Sequence, residues 1–212
     1  MPNGLQQYVK LENRLVLLAW LNSLLGYPSN RTLLEDTKTV AEGFGADGRS
    51  FLYHHLIARG SQVKIPPDDL ERYDENIRIH LAAINRNRTE PITLRYFQYL
   101  AALYTEIFLD RLFNHRGADG CPSLLDDLNA FVRERNARRL PVEPQDEPFT
   151  VDDLSKLAFW MATGSGKTLL LHLNYHQFRH YNPASAGLDN ILLITPNEGL
   201  SDQHLAELAA SG

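Results

Sequence analysis

The segment Leu157-Ala-Phe-Trp-Met-Ala-Thr-Gly-Ser-Gly-Lys-Thr168 decides the fold: a short apolar run, a glycine-rich turn, then a helical pattern from Lys167 to about Tyr181. A run that is apolar at every position predicts a strand buried on both faces, as parallel strands are. Gly164 and Gly166 permit backbone conformations that aim successive N–H groups inward, and a helix N-terminus adds the positive end of its dipole. Thr163, Gly164, Ser165, Gly166, Lys167 and Thr168 therefore form a candidate polyphosphate cradle. Lys167 would reach the β- and γ-phosphates and the Thr168 hydroxyl would hold a metal ion, so ATP and Mg²⁺ are the expected cofactors. The strict form of this motif has a glycine where the chain has Met161.

Downstream, Asn182-Pro183 and Gly187 break the chain, and Asn190-Ile-Leu-Leu-Ile-Thr195 is a second continuous apolar run, bounded by Pro196. The expectation is strand, helix, strand, closed by a helix from Asn197 to Ala210. Upstream every apolar pattern is helical. Leu11, Leu15, Leu18, Leu21 and Leu25 recur at three- and four-residue steps until Gly26 and Pro28 stop them. An Asn30 cap begins a second helix, and Asp47 or Ser50 a third. Pro66-Pro67-Asp68 opens a fourth carrying Leu70, Tyr73, Ile77, Leu81 and Ile84. Ile92 to Phe113 is so widely apolar that it predicts a buried central helix, and Ser123 to Arg139 a further one. Three prolines and three acids in Pro141-Val-Glu-Pro-Gln-Asp-Glu-Pro148 have linker chemistry. The expected class is α/β: an all-helical domain over residues 1–145, then the opening of a parallel sheet over 146–212.

The chain has 212 residues, 43% hydrophobic and 22% charged, with a net charge of -5 and a mean hydropathy of -0.31. That composition excludes disordered, collagenous and coiled-coil classes. It offers no basic arm for nucleic acid, so such binding would need a local groove. Cys121 is the only cysteine, which excludes an internal disulfide and suits a reducing cytoplasm. The most apolar stretch, Leu15 to Tyr27, is too short to span a bilayer, so a soluble, cytoplasmic protein with no membrane partner is expected.

Ala162-Thr-Gly-Ser-Gly-Lys-Thr168 resembles motif I of superfamily 2 helicases and translocases. Phe159-Trp-Met-Ala-Thr-Gly-Ser-Gly-Lys-Thr-Leu-Leu170 is similar to the branch containing type III restriction enzyme Res subunits and type I restriction motor subunits. Ile191-Leu-Leu-Ile-Thr-Pro-Asn197, with Leu200-Ser-Asp-Gln203, resembles motif Ia. The likeness covers about residues 155–210 and implies the first strand–helix–strand of a RecA-like P-loop domain. It further implies an ATP-dependent DNA helicase or translocase of a restriction or other phage-defence system. DNA and a methyltransferase or modification subunit would be its partners, and Pro196 and Asn197 would lie at the nucleic-acid backbone. Many relatives have a basic residue where this chain has Asn197. No acidic Walker B box and no second RecA-like domain follow, so the expectation is the N-terminal part of a longer ATP hydrolase, inactive alone. Leu94-Arg-Tyr-Phe-Gln-Tyr-Leu100 resembles the element that reads adenine in related translocases. Gln98 would have that role, as an amide can donate and accept at once.

Two other function classes stay open: a non-hydrolysing nucleotide-binding module that switches a protein partner, and a small-molecule or nucleotide kinase. The kinase is disfavoured because no acceptor site or lid arginines follow. His172, His176 and His180 fall at four-residue steps, with no carboxylate or cysteine to complete a metal set, and are expected to form a partly exposed stripe. Arg133, Arg135, Arg138 and Arg139 are the densest basic cluster, read chiefly as a favourable helix C-terminus. Asp68, Asp69, Asp126 and Asp127 sit in first helical turns, where they complement the dipole.

Overall fold

Serine hydroxyls start three of the helices. Ser29 Oγ accepts from Thr32 N and begins α2 (Asn30–Thr37), and Ser50 Oγ accepts from Tyr53 N and begins α3 (Phe51–Ala58). Ser123 and Asp126 form a reciprocal capping box at the head of α6 (Leu124–Ala137). Each satisfies N–H groups that a helix start leaves without partners. α4 (Pro67–Asn85) has proline in its first turn, followed by Asp68 and Asp69. α1 (Val16–Leu24) ends at Gly26, whose φ is +78°. A Cβ there would collide with the Gln62 carbonyl, so both conformation and space demand glycine. The remaining helices are α5 (Tyr96–Phe113), α7 (Lys167–Tyr181) and α8 (Glu198–Ser211). The structure is a computed structural model that describes residues 14–114, 123–140, 142–182, 192–195 and 197–211.

α5 is the central helix. It buries Leu100, Leu103, Ile107 and Phe108, and α4 and α7 pack against it and against each other, while α6 also touches it. Leu170, Leu173 and Tyr181 of α7 belong to the same apolar core as Ile77, Ile84 and Leu103. Core and helix order together place the start of α7 beside the first turn of α5. Polar groups join these three helices as well. Glu106, on α5, accepts from Asn76 of α4 at 2.9 Å, from Gln177 of α7 at 2.7 Å and from Tyr181 at 2.7 Å. Burial raises the Glu106 pKa, against those three donors. One turn on, burial pushes the Asp110 carboxyl up, but Arg72, Tyr73 and Asn114 outweigh it and hold its pKa low.

The expected parallel sheet is absent. Among the described residues there is no strand, and the sole ladder contact is an isolated antiparallel bridge between Phe44 and Ser50. Leu157–Met161 forms no strand, and neither do the described residues of the second run, Leu192–Thr195; Asn190 and Ile191 lie outside the described residues. Trp160 is 83% exposed, Leu192 81% and Ile194 82%, the opposite of strands covered on both faces. The physical reason is where α7 goes. A crossover helix makes a strand–helix–strand unit only by packing on the sheet, and this one packs on α5 and α4 instead, leaving each run without a neighbour for its backbone groups.

The proline-rich segment after α6 is held to that helix by two asparagines. Asn136 accepts from Asp146 N and donates to Asp146 O, both at 2.9 Å. Asn129 accepts from Phe149 N at 2.7 Å and donates to Phe149 O at 3.0 Å. Asn85 makes the same two-bond clip on Ile92, between α4 and α5. A carboxamide offers the donor and acceptor that an adjacent strand would offer, so extended backbone can be satisfied without a sheet.

Candidate phosphate-binding loop

Gly166 is the N-cap of α7 with φ +87° and no side-chain cap. Gly164 has φ +76°. The first backbone bond into the helix is Leu170 N to Gly166 O at 3.1 Å, so the N–H groups of Lys167, Thr168 and Leu169 precede the helical ladder. Ser165 closes the turn on Ala162 O, through its N–H at 3.3 Å and its hydroxyl at 2.6 Å. The Lys167 ammonium folds over the loop and donates to Met161 O at 3.2 Å and Ala162 O at 2.8 Å. An ammonium that settles on carbonyl oxygens of its own loop lies within side-chain reach of whatever the loop encloses. Thr163 is exposed and Thr168 half-buried in the first helical turn. Met161, in place of the usual glycine, packs its side chain against the core and gives its carbonyl to Lys167.

Gln98 reaches this loop from α5. Its Oε1 accepts from Arg95 N at 2.9 Å and its Nε2 donates to Ser165 O at 3.0 Å. A Cβ on Gly166 would fall on Gln98 Nε2. Both ends of the amide are thus engaged by protein backbone, and the structure brings Gln98 to the loop as its support.

The cradle fits a polyphosphate in its uncapped helix start, its two left-handed glycines and its lysine. For a metal it supplies one hydroxyl. Among the described residues no group of three or more His, Cys, Asp or Glu is placed to hold a metal ion.

Pro196 and Asn197, expected at a nucleic-acid backbone, are not brought together with this loop by any described contact. Pro196 lies outside the described residues, and Asn197 is exposed with its Oδ1 accepting from Leu200 N at 3.0 Å, capping α8. Three of the four clustered arginines are engaged: Arg135 and Arg139 with Asp146, both at 2.8 Å, and Arg138 with Glu134 at 3.6 Å. Cys121 lies outside the described residues.

The α7 histidines are not one stripe. His172 is buried and shares a hydrogen bond of 3.2 Å with His204 of α8. His176 and His180 instead face His80 of α4, with ring centroids at 6.1 and 5.6 Å. Burial, with the nearby His180 and His176, pushes His80 down to about 4. Its Nε2 finds no hydrogen-bond partner among the described residues. His80 and His204 carry no spacing signal that ties them to α7, so the sequence alone gave no way to pair them.

Beside the loop opens a cavity of about 750 Å³ whose wall includes Ala162 and Ser165. Phe97, Ala101 and Tyr104 of α5 and Leu17 and Leu21 of α1 face it. Its walls come from segments far apart in sequence, and nothing in the sequence analysis anticipated it.

The fold and site together define a helical protein that presents a glycine-rich loop at the start of a buried-face helix. No protein-family model, curated protein or solved structure matches the chain.

Proposed function

We propose that the chain binds a nucleoside triphosphate, ATP in the first instance, with Mg²⁺ on the loop Thr163–Thr168. The observation that carries this is the Lys167 ammonium poised over a loop whose two left-handed glycines lead into an uncapped helix. Backbone N–H groups would take the phosphate oxygens and Lys167 the terminal phosphates. Mg²⁺ would have the Thr168 hydroxyl and the phosphate oxygens themselves. Likeness to motifs I and Ia supports the wider reading, in which this is the ATP-binding portion of a DNA helicase or translocase of a restriction or phage-defence system. DNA and a modification subunit as partners rest on that likeness alone.

Titration of Mg-ATP into the parent and into Lys167→Ala tests the binding. Loss of at least about 100-fold in affinity is expected, in keeping with removal of a charge-assisted phosphate contact. Equal affinity in the two proteins would overturn the proposal.

A specific observation favours the second reading, a nucleotide-binding module without turnover. Among the described residues, no carboxylate forms a hydrogen bond or ion pair with residues 161–168, and phosphoryl transfer to water needs an acid or amide to position the nucleophile and metal. The chain by itself is expected to bind Mg-ATP without multiple turnovers, with or without DNA.

A further inference from the structure

α8 is held to the protein differently from the other helices. Among the described residues, none of its side chains belongs to the apolar core or packs against it, and its Leu205 and Leu208 are exposed. The one buried side chain it offers is His204, which shares a hydrogen bond of 3.2 Å with the buried His172 of α7. The ring centroids of this pair are 5.5 Å apart, well beyond the separation of the bonded nitrogens, so the imidazoles meet edge to edge rather than face to face. The second tie is an ion pair between Glu207 and Arg88, just past the end of α4. Further along α7, His176 also acts on His172.

An apolar anchor is indifferent to pH, but an N–H···N bond needs one imidazole to donate and the other to accept. A first added proton can sit on an outer nitrogen and leave that bond intact. A second places a hydrogen on both facing nitrogens, and two imidazolium charges then stand in contact where the bond was. Burial, then His204, pushes His172 below the ordinary histidine value; Glu207 opposes this, and Arg88 and His176 reinforce it. A folded value below the unfolded one means that docking is fully stabilised above about pH 6.5 and loses stability as pH falls.

We infer that α8 is a proton-released helix, docked on α4 and α7 at neutral pH and freed when the His172–His204 pair becomes doubly protonated, while the other helices keep their shared apolar core. Asn197 Oδ1 caps α8 and Thr195 is bonded to Ser201, so residues 192–195 move with the helix. The device does not involve the phosphate loop.

Hydrogen exchange, expressed as protection factors so that the intrinsic pH dependence of exchange is removed, compares residues 198–210 with 96–113 of α5 at pH 7.5 and pH 5. In the parent, 198–210 is expected to lose at least about tenfold in protection while 96–113 loses less than about threefold. Two variants withhold the second charge. His204→Asn places a carboxamide oxygen where Nδ1 stands, able to accept from His172 at either pH, and His172→Leu with His204→Leu replaces both partners by apolar side chains should the asparagine dock poorly. A variant that matches the parent at pH 7.5 should keep its protection at pH 5. The proposal is overturned if, in the parent, 198–210 is unprotected at pH 7.5, stays protected at pH 5 or loses protection in step with 96–113, and equally if neither variant holds 198–210 at pH 5.

Discussion

The Gln98 amide lies against Gly166 so closely that no side chain fits between them, while donating to the carbonyl of Ser165 at 3.0 Å. The first turn of α5 therefore sets the shape of a loop 67 residues further along the chain. Gly166→Ala must displace Gln98 and also hold alanine at φ +87°, a strain of about 1–2 kcal/mol in addition to the collision. A fall of at least tenfold in Mg-ATP affinity is expected by calorimetry, with a lower urea midpoint.

Gln98→Ala frees Arg95 N and Ser165 O. Because the amide is spent on the loop, affinities for ATP and GTP should fall together, by about three- to tenfold, as expected for one neutral hydrogen bond and its partner. A change in their ratio would show that the amide also touches the base.

Removal of Glu106 strands Asn76, Gln177 and Tyr181 in the core between α4, α5 and α7. Glu106→Ala should cost about 3–5 kcal/mol, combining a cavity with unsatisfied donors. Urea denaturation at neutral pH measures it, and a loss under 1 kcal/mol would mean that the network adds little.

Mild acid should destabilise the fold through its buried histidines. His80 is held near 4 by burial and its histidine neighbours. Burial, with His204, lowers His172, and burial, with Arg179 and Arg86, lowers His176. A folded pKa below the unfolded value means that the unfolded chain binds more protons, so stability is full above about 6.5 and drains as pH falls toward 4. His80 alone accounts for at most about 3.5 kcal/mol across that window. Glu106, raised by burial, acts with the opposite sign, its contribution present at low pH and lost as pH rises through its folded value. Thermal melts from pH 7 to pH 4.5 should show a falling midpoint, and His80→Phe should flatten that fall while leaving the pH 7 midpoint equal or higher.

Asn136→Ala opens the clip on Asp146. Faster hydrogen exchange across 142–149 is expected, with trypsin cleavage appearing after Arg138 or Arg139, at a stability cost of about 1–2 kcal/mol. Unchanged exchange would show that the Arg135 and Arg139 ion pairs to Asp146 suffice.

The helices were legible because their starts are chemical: Ser50, Pro67 and Ser123 begin them where the sequence indicates, and Ser29 caps α2 one residue before the expected Asn30. The turn was legible from Gly164 and Gly166, which permit left-handed conformations and adopt them here, at φ +76° and +87°. The sheet was misread because a continuous apolar run says that a segment favours burial, not that a partner strand exists to bury it. Leu170, Leu173 and Gln177 seat α7 on α5, where Gln177 donates to Ala102 O at 2.9 Å, and that choice of partner is written nowhere in the local pattern. The cavity escaped for the same reason, since four distant stretches must meet before it exists.

Of the two tryptophans, Trp20 is 3% exposed in the core and Trp160 is 83% exposed, four residues before Gly164 and on the cavity wall. The protein thus carries its own optical probe at the site. Iodide should quench the red-shifted emission of Trp160 and spare the blue-shifted emission of Trp20, so ligand arrival can be followed in unlabelled, unmutated protein as shielding of one fluorophore against an internal standard.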